Sequence, residues 1–153
     1  MTLAVGDRVP RVVASDTSGE PVVLDGSEEP LVLVFVPYAF SPVCTVEVHA
    51  LRELAGDVVQ AGLRLFVVSC DPLPALRAWL EHEPYDGVSD FWPHGAVARA
   101  FGVFDEDRGA ARRGSFLVAD GEVRWSVRSD PGSARPTAAY RAMIDGWRGS
   151  TSS

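Results

Sequence analysis

Lysine and asparagine are absent from this chain of 153 residues, and cysteine occurs only twice. The 14 basic residues are therefore all arginine, set against 21 acidic residues, for a net charge of −7. No basic run or stripe forms, so nucleic acid is not an expected partner. Two cysteines cannot build a disulfide framework, and each is read as a thiol in a reducing compartment. His49, His82 and His94 are scattered and no Cys/His spacing suits zinc, so no metal is expected and no other cofactor is called for. The longest apolar run, Leu31 to Phe40, is too short for a bilayer and is broken at Pro37; no membrane association is expected. The opening M-T-L-A-V-G-D-R has no apolar core of a signal peptide, which makes a cytoplasmic location the expectation. Abundant Ala, Arg, Gly and Val beside the missing Lys and Asn point to a GC-rich genome.

What is present suits one globular domain over residues 1–153. Hydrophobic content of 46% and charged content of 23% are ordinary for such a domain. The stretch that organises the rest is Leu31 to Cys44, L-V-L-V-F-V-P-Y-A-F-S-P-V-C. Its first six residues have the length and β-branched content of a strand buried on both faces. A helical pattern follows Cys44, with Val48, Leu51, Leu54 or Ala55 and Val58 on one face and Gly62 as the stop.

Upstream, Val12 to Ala14 and Val22 to Leu24 are short strand candidates broken at Ser18-Gly19, and Ser27 to Pro30 is a polar link. Downstream, Leu63 to Ser69 reads as a second buried strand. Asp71 can cap, and Pro72 can open, a helix with Leu76, Trp79 and Leu80 on its apolar face. Val88 to Phe91 is a short strand and Gly95 to Phe101 a short helix. Arg113 to Ala119 and Glu122 to Val127 flank Asp120-Gly121, a strong hairpin signal. After an Asp130-Pro131-Gly132 turn comes a last helix carrying Tyr140, Met143, Ile144 and Trp147, then a polar tail, 149–153, expected to be disordered. The order β-α-β-α, then β-β-α, predicts an α/β thioredoxin-like fold. A central mixed β-sheet is flanked by helices, with an N-terminal β extension.

A lone cysteine is more often a small buried hydrophobe than a nucleophile. Three features raise Cys44 above that. A helix N-terminus favours thiolate over thiol. Ser41 offers a hydroxyl, and Pro37 and Pro42 stiffen the loop and remove backbone donors. No histidine has motif support as an activating base.

Pro37-Tyr38-Ala39-Phe40-Ser41-Pro42-Val43-Cys44 matches the peroxiredoxin signature of Pro, three residues, Thr or Ser, two residues, Cys. Glu47 also fits, as does Arg113 in Arg-Gly-Ser-Phe. Ser89-Asp90-Phe91-Trp92-Pro93-His94-Gly95 and Ala98-Arg99-Ala100-Phe101-Gly102-Val103 are peroxiredoxin-like as well. The chain resembles the peroxiredoxin (AhpC/TSA) family through most of its length. The subgroup it resembles is the one-cysteine alkyl hydroperoxide reductase E type of actinobacteria.

The resemblance implies a thiol-dependent peroxidase acting on hydrogen peroxide and organic hydroperoxides. Cys44 would be the nucleophile that becomes sulfenic acid. Arg113 would supply a cation, Ser41 would donate to the peroxide, Pro37 would shield the site from water, and Glu47 would orient Arg113. Each has a plainer alternative. Ser41 could cap the helix, Glu47 could complement its dipole, and Arg113 could be a surface residue with Arg112 as competitor. Phe40 and Trp92 are candidates for a substrate pocket, although a core or interface place is favoured for them and for Phe91.

Cys70 reads as a buried inert thiol, with a resolving cysteine as the alternative. Position 49, where one subgroup carries its resolving cysteine, is His. The expected reductant is therefore an external thiol, either a low-molecular-weight thiol, with mycothiol among them, or a glutaredoxin-like protein. The resemblance further implies a homodimer. The rival reading is a non-enzymatic thioredoxin-fold redox sensor or binding module using the same reactive cysteine.

Overall fold

The computed structural model describes residues 2–130 and 132–151. Pro131 of the expected turn, and Ser152 and Ser153 of the expected tail, lie outside the described residues. The predicted strand at Leu31 is β3, Leu31–Phe35, and all five of its residues are fully buried. Its side chains alternate between two cores. Val32 and Val34 face one, and Leu31, Leu33 and Phe35 face the other, as the two-residue period of a strand requires.

Around β3 lies a five-stranded mixed sheet in the order β5-β4-β3-β8-β9. β4, Arg64–Ser69, runs parallel to β3, and β5, Asp86–Ser89, runs parallel to β4. β8, Gly114–Ala119, and β9, Glu122–Arg128, complete the sheet as an antiparallel hairpin. Its turn has Asp120 at φ 53° and Gly121 at φ 78°, the backbone that an Asp-Gly pair takes most easily. The N-terminal extension is β1, Val13–Ser15, paired antiparallel with β2, Pro21–Val23. A small hairpin that periodicity did not reveal, β6, Phe104–Asp105, and β7, Ala110–Ala111, precedes Arg113.

On one face pack α1, Pro42–Arg52, α2, Ala55–Gln60, α3, Leu73–Trp79, and α5, Thr137–Thr151. The other face is covered by α4, Ala96–Phe101, and the N-terminal segments. There Phe35, Phe101 and Phe116 meet with ring centroids 4.9 to 5.9 Å apart, a spacing that adds to their burial energy. Among the described residues no helix is long and apolar enough to cross a membrane.

Three expectations need correcting. The helix after Cys44 is two helices, because the chain tightens where the Leu54 N–H bonds to Leu51 O three residues back. The last helix runs on to Thr151, so 149–151 belong to α5 rather than to a disordered tail. Asp71 does not cap α3: the residue at that cap is Pro72, and no side chain bonds there.

Candidate active site

The carboxyl end of β3 leads through Val36 and Pro37, both buried, into α1. Ser41 is the N-cap residue of α1, with φ −73° and ψ 150°, and Pro42 opens the helix. Cys44 is the third helical residue and is fully buried. The first bond of the helix runs from Thr45 N–H to Ser41 O. Val43 and Cys44 therefore keep N–H groups that no acceptor within α1 can satisfy, at the positive end of the helix.

Ser41 departs from the capping reading. Its hydroxyl neither caps α1 nor stands free; Oγ donates to Tyr38 O at 2.9 Å. Phe40 between them holds φ at 65°, a left-handed backbone that a bulky residue adopts only under constraint.

Glu47 lies one helical turn beyond Cys44 on the same face of α1. It is buried and ion-paired with Arg113, which is also buried and sits just before β8. Arg112, its competitor, is exposed. Both lie in the link between β7 and β8, and Arg113 is the one turned inward.

A third residue joins them that the sequence reading missed. Arg135, in the loop before α5, has its side chain fully buried. It grips Glu47 with both arms of its fork, Nε to Oε2 at 2.8 Å and Nη2 to Oε1 at 2.9 Å, and its backbone N–H reaches Oε2 at 2.8 Å. The remaining nitrogen, Nη1, donates to Phe35 O at 2.7 Å, Gly114 O at 2.9 Å and Ser115 Oγ at 3.2 Å. One guanidinium thus fastens the end of β3, the start of β8 and the middle of α1 together. Nothing local announces it. Arg135 lies 88 residues from Glu47, and no motif in the sequence links the two.

Burial alone would push the Glu47 carboxyl up. The hydrogen bonds and charge of Arg135, with Arg113 behind them, outweigh burial and hold it below its ordinary value of 4.5. Glu47 thus holds two guanidinium groups one helical turn from Cys44.

Cys70 follows β4 directly and is also buried and free. Its thiol is pushed up to about 12, by burial first and then by the carboxylates of Asp90 and Asp71. Phe40 and Trp92 are not core residues, being 61% and 83% exposed, and Phe91 is 46% exposed. Phe40 stacks near Trp79 with centroids 6.2 Å apart, while Trp92 borders a groove with Val13, Leu73, Ser89 and Phe91. Among the described residues no group of three or more His, Cys, Asp or Glu side chains could hold a metal.

Known proteins share this arrangement of chain. The model of the AhpC/TSA family matches residues 5–126. Alkyl hydroperoxide reductase E of Mycobacterium tuberculosis is 34% identical over 138 residues, covering 87% of this chain and 90% of that protein. A peroxiredoxin of Thermoplasma volcanium is 31% identical, with 83% and 66% covered. Among solved structures, the peroxidoxin BcpB from Mycobacterium tuberculosis superimposes with a TM-score of 0.81 at 25% identity, over 99% of both chains. Enterococcus faecalis AhpC, at 24% identity, shares the fold with a TM-score of 0.84 over 95% of this chain and 92% of that one. The family match and the extent of these likenesses place the chain in the AhpC/TSA family, as a peroxiredoxin and hence a thiol-dependent peroxidase.

Proposed function

We propose that Cys44 is the peroxidatic thiol and that an external thiol, not Cys70, regenerates it. The observation behind this reading is the buried Glu47–Arg113–Arg135 cluster on the Cys44 face of α1, which brings two guanidinium groups within a helical turn of the thiol. Their charge and the N-terminal turn of α1 both favour an anion at the sulfur. The Cys44 thiolate attacks one oxygen of the hydroperoxide and the O–O bond breaks. Cys44 is left as a sulfenic acid, and the other oxygen departs with the bonding pair, takes a proton and becomes an alcohol or water.

Arg113 stabilises the departing oxygen with the free N–H groups of the first turn of α1. Pro37, buried at the loop's start, keeps water away. Glu47 orients Arg113. Ser41 has given its one proton to Tyr38 O, so it meets the peroxide through its lone pairs, accepting the peroxide O–H; donating would require a rotation away from Tyr38. Phe40 and Trp92, exposed and aromatic, suit the rim that an organic hydroperoxide would touch.

A first external thiol condenses with the sulfenic acid, releasing water and forming a mixed disulfide. A second displaces Cys44 as a thiol. A low-molecular-weight thiol, with mycothiol a candidate, or a glutaredoxin-like protein would serve. Cys44 is fully buried, so the reductant reaches it only when the first turn of α1 opens. Cys70, at about 12, presents almost no thiolate near neutral pH to compete. Two free thiols suit a reducing, cytoplasmic compartment. The exposed Tyr38, Phe40, Phe91 and Trp92 favour a homodimer, for which light scattering at micromolar concentration should give twice the chain mass.

Rapid mixing with one equivalent of hydrogen peroxide or an organic hydroperoxide, followed by mass spectrometry, tests the reading. The expected product is a single oxygen on Cys44, converted by added thiol to a mixed disulfide and then to free protein. Oxidation no faster than that of free cysteine would remove Cys44 from the role. A Cys44–Cys70 disulfide as the main product would remove the one-cysteine mechanism.

A further inference from the structure

We infer that Asp71 is a positioning residue for the Cys44 loop, a strut that reaches across from the end of β4. The inference rests on Cys44 being the reacting thiol. Asp71 Oδ2 accepts the backbone N–H of Ala39 at 2.8 Å, across 32 residues of sequence. Ala39 stands in the middle of the loop from Pro37 to Cys44, immediately before the residue with the left-handed backbone, Phe40.

That conformation is strained for a residue of this kind and persists only where its surroundings impose it. Three contacts are available to impose it. Asp71 fixes the peptide before Phe40, Ser41 Oγ ties back to Tyr38 O at 2.9 Å, and Trp79 faces the Phe40 ring. Trp79 Nε1 also donates to Thr45 Oγ1 at 3.3 Å, in the first turn of α1. Asp71 lies just before α3 and Trp79 is its last residue, so α3 and its entry form a second wall for the loop.

Asp71 is itself anchored. Ser89 Oγ, on neighbouring β5, donates to Asp71 O at 2.7 Å. Because Pro72 holds the N-cap position of α3, the Asp71 carboxylate is released from capping and its oxygen serves the loop instead. A slack loop would let Ser41 and the first turn of α1 drift from the line of attack. Displacements of about 1 Å can cost two orders of magnitude in rate.

The test compares wild type, Asp71→Ala and Asp71→Asn by rapid-mixing oxidation of Cys44 with hydrogen peroxide, and by amide hydrogen exchange at Ala39. Asp71→Ala should slow oxidation by about tenfold or more, whereas Asp71→Asn, which keeps an acceptor oxygen, should recover to within about threefold of wild type. Ala39 exchange should accelerate about tenfold or more in Asp71→Ala and stay slow in Asp71→Asn. The pH midpoint of Cys44 alkylation should be the same in Asp71→Asn as in wild type, which separates an acceptor from a charge.

Wild-type oxidation rates in Asp71→Ala would overturn the inference, as would an Asp71→Asn variant as slow as the alanine one. If Asp71→Ala does not fold, the wild type decides: an Ala39 amide exchanging as in an unstructured peptide overturns the strut, and a protected one supports it. Failure of the peroxidase reading looks different. Wild-type Cys44 would then react like free cysteine, while the exchange of Ala39 would still respond to Asp71.

Discussion

Cys44 and Cys70 follow the carboxyl ends of neighbouring parallel strands, β3 and β4, and both are buried and free. Both are shielded from solvent, and the charges around them differ as well. Cys44 sits in the first turn of a helix, one turn from a glutamate that holds two guanidinium groups. Cys70 sits at a strand end facing Asp90 and Asp71, with only the Ala111 backbone and Arg99 pulling the other way. The same residue type, placed after two neighbouring strands of one sheet, becomes a candidate nucleophile in one place and an inert thiol in the other.

Serine exchange gives the largest contrast. Cys44→Ser should abolish peroxide consumption in a coupled thiol assay, and Cys70→Ser should leave it near wild type. Loss of turnover in Cys70→Ser with its fold intact would break the comparison. Next in size, Arg113→Ala removes the guanidinium proposed to stabilise the departing oxygen, worth about a hundredfold in peroxide reactivity. Arg112→Ala, on the exposed side, should change it little. Equal losses in the two variants would show that overall charge, not position, matters.

The parts of this comparison written locally were legible in the sequence. The apolar run of β3, the Asp120-Gly121 hairpin and the Pro-to-Cys loop each lie within a short window, where period and turn chemistry act. Arg135 was not legible, because its value comes from Glu47 across 88 residues and from carbonyls on two strands. Asp71 was misread for a related reason: its local sequence suits a cap, and only the fold brings Ala39 within reach. The polar composition of 149–153 suggested a tail, yet α5 continues to Thr151, since each glycine costs a helix only about 1 kcal/mol.

Arg135→Ala tests whether the Cys44 side is held by its ion cluster. Breaking a buried pair costs about 3–5 kcal/mol, read as a lower midpoint in urea unfolding. Arg135→Lys should not restore it, because an ammonium cannot bind both Glu47 oxygens while also reaching Phe35 O and Gly114 O. The pH dependence should follow. The Glu47 carboxyl is lower in the folded chain than its ordinary 4.5. Its contribution is then complete above that value and is lost as the pH falls through the folded one. Stability should drop in this acid range in wild type and less steeply in Glu47→Gln, when each is followed by thermal melting against pH. Parallel curves would mean that Glu47 does not carry the acid sensitivity.

The smallest effect falls on the Cys70 side. Burial is the first cause of its raised thiol and Asp90 the second. Asp90→Asn removes a charge and leaves the burial, so the Cys70 midpoint should move down toward its ordinary 9.0 without reaching it. Alkylation rate against pH in a Cys44→Ser background measures this with one thiol present. The asparagine can still accept from Val97 or Ala98 N–H, the two bonds by which Asp90 holds the start of α4, so the fold should survive. A midpoint that falls all the way to 9.0 would make charge, not burial, the reason Cys70 is silent. The two cysteines would then differ by their neighbours alone.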